Sequence, residues 1–507
     1  MIVGGGHNGL TAAAYLAKAG KSVLLLERLD YLGGAATSSY SFEGVGANLS
    51  RYSYLVSLLP QQIIDDLELG IELIQRRYSS YTPTPGEDLG LLIDRQDTQA
   101  TKASFAAIGA SADYRAWANF YSRTEVLAQK LFPTVLEPLK RRSEVRELIG
   151  DDFDPFFEKP IGEEIEKQFS SDLVRGVVLT DALIGTFASN RDPGLDANRC
   201  FLYHVIGGGT GDWNIPVGGM GKVSGSIASA AKRFGAELVS GAEVKAISAD
   251  KVVSYFQNGT AHEVSADWIL SGVSQTELAK LTGSLTPEKV QGAQVKVNIL
   301  LKRLPKLKDS NVSPEAGFGG TFHINETYDQ LQAAYEAAGR GEIPDPLPCE
   351  IYCHSLSDPT ILDEQLQAEG SQTMTVFALH MPHSLTQHFD NDELRTKAQA
   401  AVLKSLNSVL AEPIEELIYR GPTGELCIET KTTQDLQEAL GLPGGNIFHS
   451  PLSWPFAEDG DDLSTPAKRW GVDTGIAGVV FCGSSAKRGG AVSGIGGHNA
   501  AMAILES

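Results

Sequence analysis

Gly4-Gly5-Gly6-His7-Asn8-Gly9 satisfies G-x-G-x-x-G and stands between an apolar stub, Ile2-Val3, and an alanine-rich stretch, Leu10 to Ala19. Glycines at this spacing suit a diphosphate. Gly4 allows the tight turn, Gly6 lets backbone approach the ligand, and Gly9 lets a helix lie close to a strand. The N-terminus of that helix would turn its unpaired N–H groups toward phosphate oxygens. The run Val23-Leu24-Leu25-Leu26 follows and ends at Glu27. A carboxylate there accepts from ribose hydroxyls and disfavours a 2′-phosphate. Gly33-Gly34-Ala35-Ala36-Thr37 adds a second small-residue turn, which suits a longer ligand lying deeper across a sheet. These residues predict a βαβ unit folded around a dinucleotide.

The elements that must hold this unit are spread along the chain. Glycine makes up 53 of 507 residues, and the excess gathers in residues 1–46, 207–225 and 483–497. Glycine serves where backbone turns left-handed or approaches something closely, so three distant clusters predict three walls of one site. Gly478 to Cys482 reads as a short buried strand, and the small-faced stretch after Gly496 reads as a terminal helix. Trp213 to Gly221 leads into a helix to about Phe234, then strands over 235–239 and 242–247, with another strand over 267–273. Residues 76–205 read as mostly helical. Trp117, Phe120, Tyr121, Leu127 and Leu131 recur there at helical spacing, a core stripe ahead of a substrate lid. Residues 290–380 alternate strand-like runs with polar loops and predict a second sheet; residues 392–411 predict a helix. A second nucleotide site within 205–225 is disfavoured, because its glycines lack the third position and Pro216 precedes them. Oxygen, a quinone or another protein is then the expected electron acceptor.

"VGGGHNGLTAAAYLAKAG" and "LLLERLDYLGGAAT" resemble the FAD-binding start of the phytoene desaturase and carotenoid oxidoreductase flavoproteins. "SRYSYLVSLLPQQIIDDLEL", "LTDALIG", "YHVIGG", "VGGMGKVSGSIA" and "GLPGGNIFHSPLS", in order along the chain, are similar to the branch typified by pyridine nucleotide-disulphide oxidoreductase domain-containing protein 2. The resemblance implies FAD as cofactor. It implies cofactor contacts from Gly4, Gly6, His7, Asn8, Gly9, Glu27, Arg28, Gly34, Ala35, Val244, Gly483, Ala491 and Val492. Val244 would meet the adenine through its backbone, and the last helix would face the flavin ring. His204 and Arg51 lie in branch-like motifs and are the candidate catalytic residues at the flavin face. Lys487, Arg488 and His498 depart from the branch pattern where flavin and substrate are expected to meet.

Composition narrows the partners. A balance of 42 Lys+Arg against 63 Asp+Glu gives a net charge of −21, which argues against nucleic acid. No apolar run approaches the ~18–20 residues of a membrane span. Five cysteines build no disulfide framework and suit a reducing compartment. Cys349, Cys353 and His354, like His380, His383 and His388, lack zinc-site spacing, so no metal is expected. Lys140, Arg141, Arg142 and Arg146 read as a solvated helix face, and Asp459, Asp461 and Asp462 as a solvated loop.

The expectation is therefore an α/β fold. A discontinuous Rossmann-like FAD-binding domain (1–75, 217–290 and 465–507) joins a second α+β substrate domain (76–216 and 291–464) with a mixed sheet and helical lid. The expected activity is FAD-dependent oxidation, with hydride passing from a substrate C–H to flavin N5. The expected substrate is small and apolar, polyene or lipid-like. An FAD-binding scaffold with little turnover and an amine oxidase stand as alternatives. A cytoplasmic protein is expected, with peripheral membrane contact and organelle import left open because the first strand is short. Oligomeric state is not legible.

Overall fold

The computed structural model describes residues 1–284 and 290–507. Residues 285–289, inside the 217–290 segment assigned above to the cofactor domain, lie outside the described residues. Five parallel strands stack in the order Val479–Phe481, Ile269–Ser271, Ile2–Val3, Leu24–Leu26, Glu237–Val239. This is the strand order of a dinucleotide-binding sheet, with the first strand at the centre. Ile2 pairs with Leu270 on one side and Leu25 on the other. Helices cover both faces of such a sheet, so its strands read as continuous apolar runs instead of alternating ones.

The helix His7–Lys18 is packed between Met220–Arg233 and Ile495–Leu505. Its alanines allow the approach: Ala12, Ala13 and Ala14 are fully buried. A Cβ on Gly497 would run into the Asn8 carbonyl, and one on Gly9 into the Gly4 carbonyl. Gly20, at φ +79°, follows the last turn of the helix and ends it. The chain thus leaves this sheet and returns to it with its last strand and helix.

A mixed seven-stranded sheet carries the second core, in the order Ile428–Lys431, Val295–Leu301, Gln372–Ala378, Cys349–Tyr352, Thr321–Ile324, Tyr78–Pro83, Gly90–Asp94. Only Thr321–Ile324 and Tyr78–Pro83 run parallel among its paired neighbours. The helix Thr98–Ala107 packs on the edge strand Gly90–Asp94, whose Leu91 and Ile93 join the core of the helices up to Val205. Phe120, Leu127 and Leu131 of Asp113–Leu131 are core, while Trp117 and Tyr121 are half-buried.

Two expectations need correction. Residues 78–94 are a hairpin and not helix: Tyr78–Pro83 pairs antiparallel with Gly90–Asp94, with Tyr81 buried in one core and Leu91 and Ile93 in another. The stretch between Ile324 and Cys349 is not a polar loop throughout: Tyr328–Gly339 is helix, started by a capping box of Thr327 and Gln330. Asp459 and Asp462 are exposed, as expected of a solvated loop, and the Asp459 carboxylate accepts from the Ser143 N–H at 3.0 Å and its hydroxyl at 2.7 Å. The basic residues opposite are paired, Arg142 with Glu158 and Glu458, Arg146 with Asp154 and Glu158. No helix among the described residues is long and apolar enough to cross a membrane.

The crowding at Gly497 gives a direct prediction. Gly497→Ala forces the first and last helices apart and lowers unfolding stability by about 1–3 kcal/mol, the usual cost of overpacking, measured by urea denaturation.

Candidate functional site

A cavity of about 440 Å³ runs along the carboxyl ends of the parallel strands, where Val3, Leu26, Gly272 and Gly483 line it. This is the place where open α/β sheets bind ligands. All thirteen residues assigned above to the cofactor line this one cavity: Gly4, Gly6, His7, Asn8, Gly9, Glu27, Arg28, Gly34, Ala35, Val244, Gly483, Ala491 and Val492.

Each is placed by a local cause. Gly4 takes φ +99° and donates its N–H to the Leu26 carbonyl at 2.9 Å, turning the chain out of the central strand. Gly6 caps the first helix without a side-chain hydrogen bond, and nothing lies within 4 Å of where its Cβ would be. The first-turn N–H groups are thereby left for a ligand. The buried Glu27 carboxylate accepts from the Gly5 N–H at 2.7 Å and the Leu29 N–H at 2.9 Å. Its remaining lone pairs are free for hydroxyl donors. Arg28 donates to the Ala439 carbonyl at 2.6 Å.

The first and last glycine clusters are laced together. A ring nitrogen of His7 lies 3.0 Å from the Ala491 carbonyl, and the Asn8 amide donates to the Gly489 carbonyl at 3.3 Å. Burial holds His7 neutral by lowering it to about 4, against the carbonyl's opposing pull. The Asn8 Oδ1 and His449 Nδ1 atoms are buried without partners. Ala491 sits at φ +59°, a left-handed backbone that only its surroundings enforce in a residue with a side chain.

The far end is aromatic. The Tyr54 ring stacks parallel to Trp213 at 6.2 Å and lies 4.5 Å from Phe377, centroid to centroid. His204 stacks on Trp213 at 5.0 Å and holds its Nδ1 at 2.9 Å from the Cys200 carbonyl. Burial lowers His204 to about 4, so its imidazole is neutral at pH 7. Trp213, Phe377, Tyr54 and His204 all line the cavity.

Arg51 does not line the cavity. Its guanidinium is engaged by Glu429 at 2.6 Å, which corrects its place among the catalytic candidates. The middle glycine cluster is also corrected: within 207–225 only Trp213 lines the cavity. The glycines there seat the segment on serines, with Gly207 against Ser57 and Gly221 donating to the Ser38 hydroxyl at 2.9 Å. Lys487, Arg488 and His498 also lie off the cavity. Arg488 is buried and donates to the Thr134, Glu137 and Trp470 carbonyls, tying helices together.

Sequence reasoning missed Lys296. It lies in the fully buried strand Val295–Leu301, and its ammonium donates to the Ser50 and Ser53 carbonyls at 2.8 and 3.0 Å, over the Phe377 ring. Burial lowers it to about 7, with Glu429 opposing. A lysine inside Val-Lys-Val-Asn-Ile-Leu-Leu is the signal that could have found it. Tyr54, Trp213 and Phe377 carried no such signal, since isolated aromatics read as core.

Comparison with known proteins agrees with this layout. Residues 2–61 match the NAD(P)-binding Rossmann-like domain. The protein Rv0897c of Mycobacterium tuberculosis is 51% identical across 100% of this chain and 96% of its own length. Pyridine nucleotide-disulfide oxidoreductase domain-containing protein 2 of Rattus norvegicus is 29% identical, across 100% of this chain and 93% of its own. Among solved structures, a putrescine oxidase variant made in a redesign of cofactor binding shares the fold. It superposes with a TM-score of 0.57 at 16% identity, covering 100% of this chain and 98% of that one.

The buried charges generate two stability predictions. Glu27→Gln turns one acceptor into a donor facing an amide N–H and costs about 1–3 kcal/mol, read by urea unfolding. For Lys296, the folded state binds fewer protons than the unfolded state between about 7 and its ordinary value of 10.5. Its contribution is present above that upper value and is lost as pH falls toward 7. Stability of the wild type relative to Lys296→Met therefore rises across that window, and a flat difference in melting temperature from pH 7 to 10 contradicts the assignment.

Proposed function

The chain belongs to the family of the mycobacterial protein Rv0897c, and we propose that it is an FAD-dependent oxidoreductase acting on a largely apolar substrate. The observation that carries this reading is the convergence on one cavity of thirteen residues from four distant segments, laced by His7–Ala491 and Asn8–Gly489.

The residues present fit FAD. The uncapped helix start and the open space at Gly6 suit a diphosphate. The lone pairs left on Glu27 suit a ribose, and Val244 closes that end. The same cavity is also lined by Tyr54, Trp213 and Phe377, aromatic walls that suit a second ring system. Asn8 and His449 keep unpartnered buried polar atoms that a ligand can satisfy. FAD, when bound, supplies the two-electron chemistry. This chain's own residues bind the diphosphate and ribose, orient the cofactor through backbone, and exclude water with Leu55, Ile184, Phe448 and Leu452. Neutral His204 and the cation Lys296 set the polarity at the aromatic end.

An amine substrate is a second reading with one observation in its favour. The parallel Tyr54 and Trp213 rings, with Phe377 beside them, present aromatic faces on which a cation gains attraction. The scaffold alternative loses its motive, because Lys487, Arg488 and His498 lie away from the cavity.

The test is anaerobic: holoprotein is mixed with a panel of apolar alkenes, polyenes and amines, and flavin bleaching is followed. Bleaching by one class identifies the substrate type, whereas none across the panel, with FAD bound, tells against turnover. Gly6→Val fills the space at the helix start and should weaken FAD binding by on the order of tenfold or more, a loss of about 1.4 kcal/mol.

A further inference from the structure

Behind the aromatic end lies a second, smaller cavity of about 120 Å³. Tyr54, Leu55, Ile184, His204 and Trp213 line both cavities and so form the partition between them. The small cavity is polar, with Asp181, Glu350, Arg76 and His323 in its wall. Glu326 adjoins it: His323, Glu326 and Glu350 offer ligand atoms within 4.8 Å of one another. Glu326 and Glu350 are almost wholly buried, and Glu326 Oε1 has no partner.

Hydroxyl hydrogen bonds and then a ring contact lead from this cluster to the wall of the large cavity. Thr180 Oγ1 donates to Glu326 Oε2 at 2.8 Å and lies 3.1 Å from Glu350 Oε1. The Tyr352 hydroxyl donates to Glu350 Oε2 at 2.8 Å. The Tyr352 ring is 4.7 Å from that of Tyr54. Burial pushes the Tyr54 phenol well up. The groups facing the carboxyls are Arg76, His323, Tyr54, Tyr121, Tyr352, Cys200 and Cys349. Arg76 is the cation among them, and its own hydrogen bonds go to the Trp213 carbonyl and the Thr321 hydroxyl. Three carboxyls beside one guanidinium, two of them almost wholly buried and Asp181 half-buried, cannot all ionise. His323 stays neutral, lowered to about 3 by burial and by Arg76.

We propose that Asp181, Glu326 and Glu350 form a shared proton store, joined through Tyr352 and Tyr54 to the oxidation site, that takes up the proton a substrate releases there. The inference rests on the proposed oxidoreductase function. The substrate loses two electrons and one hydrogen as hydride to the bound flavin, and its second hydrogen leaves as a proton. Tyr54 accepts that proton and passes its own to Tyr352, which passes its own to an ionised Glu350. Both phenols end neutral, and one carboxylate has become a carboxyl. Burial supports the assignment, raising Asp181 to about 7, Glu350 to about 8, and Glu326 well above its ordinary value. Tyr54 and Tyr352 are the proton-relay residues in this scheme.

The experiment uses the full-length protein with its FAD, reduced anaerobically in an infrared cell in H₂O and D₂O by the panel compound that bleaches its flavin. A deuterium-sensitive carboxyl C=O band is expected in the wild type, with an intensity that changes on reduction. Glu350→Gln should diminish the band, and Tyr352→Phe should keep it while abolishing its response. A second readout needs no cofactor. Groups raised on folding stabilise below their unfolded value, and that stabilisation is lost as pH rises through about 7 to 8. The unfolding equilibrium constant of the wild type should therefore rise between pH 5 and 8, by at least tenfold more than that of Glu350→Gln, one pKa unit being a factor of ten. Asp181→Asn replaces that variant if it does not fold. Absence of the carboxyl band, equal pH dependence in the variants, or a stoichiometric divalent metal held by His323, Glu326 and Glu350 overturns the proposal. Loss of flavin with the pH slope retained contradicts the proposed function and leaves the store standing.

Discussion

The architecture of the cavity depends on one close approach of backbones, at the turn from Gly4 to Gly9. Gly9 rests against the Gly4 carbonyl, Gly497 rests against the Asn8 carbonyl, and Gly4 itself abuts Gly272. Side chains at these points would push the first helix off the sheet and close the space that its N-terminus faces. Because the first strand is central, the strands at 269–271 and 24–26 take their places from it. The chain's last helix is fixed against the same first helix, which is why a site can be assembled from both ends of a 507-residue sequence.

Burial of ionisable groups gives the cavity its chemistry. His7, His204 and His449 are held neutral, while Lys296 is left as a marginal cation over Phe377. Behind Tyr54 and Trp213 the opposite happens, and carboxyls are pushed toward their protonated forms. The partition thus divides an apolar chamber from a polar one whose charge is set by protons.

The dinucleotide half was legible because its determinants are local. Glycine spacing, the strand before it and the acid after Leu26 are neighbours in sequence, and each acts within a few residues of itself. The terminal motif was legible for the same reason. Gly207, Gly219 and Gly221 misled, because glycine marks close approach without saying to what, and here the neighbours are Ser57, Ser38 and Ser50. Arg51 misled because its partner Glu429 lies far along the chain. The aromatic end and the acid cluster were invisible, since Tyr54, Trp213, Phe377 and Glu350 meet only when two sheets and a helical layer come together. Lys296 was the exception, a charge inside an apolar strand that sequence alone displays.

The central claim is that one cavity, built from the first and last glycine clusters, holds one FAD. Stripping the purified full chain of bound nucleotide and titrating it with FAD, by quenching of flavin fluorescence, tests this most directly. The account predicts saturation at one FAD per chain, with NADP⁺ failing to compete because Glu27 opposes a 2′-phosphate. No quenching at any FAD concentration, or displacement of FAD by NADP⁺, would contradict it.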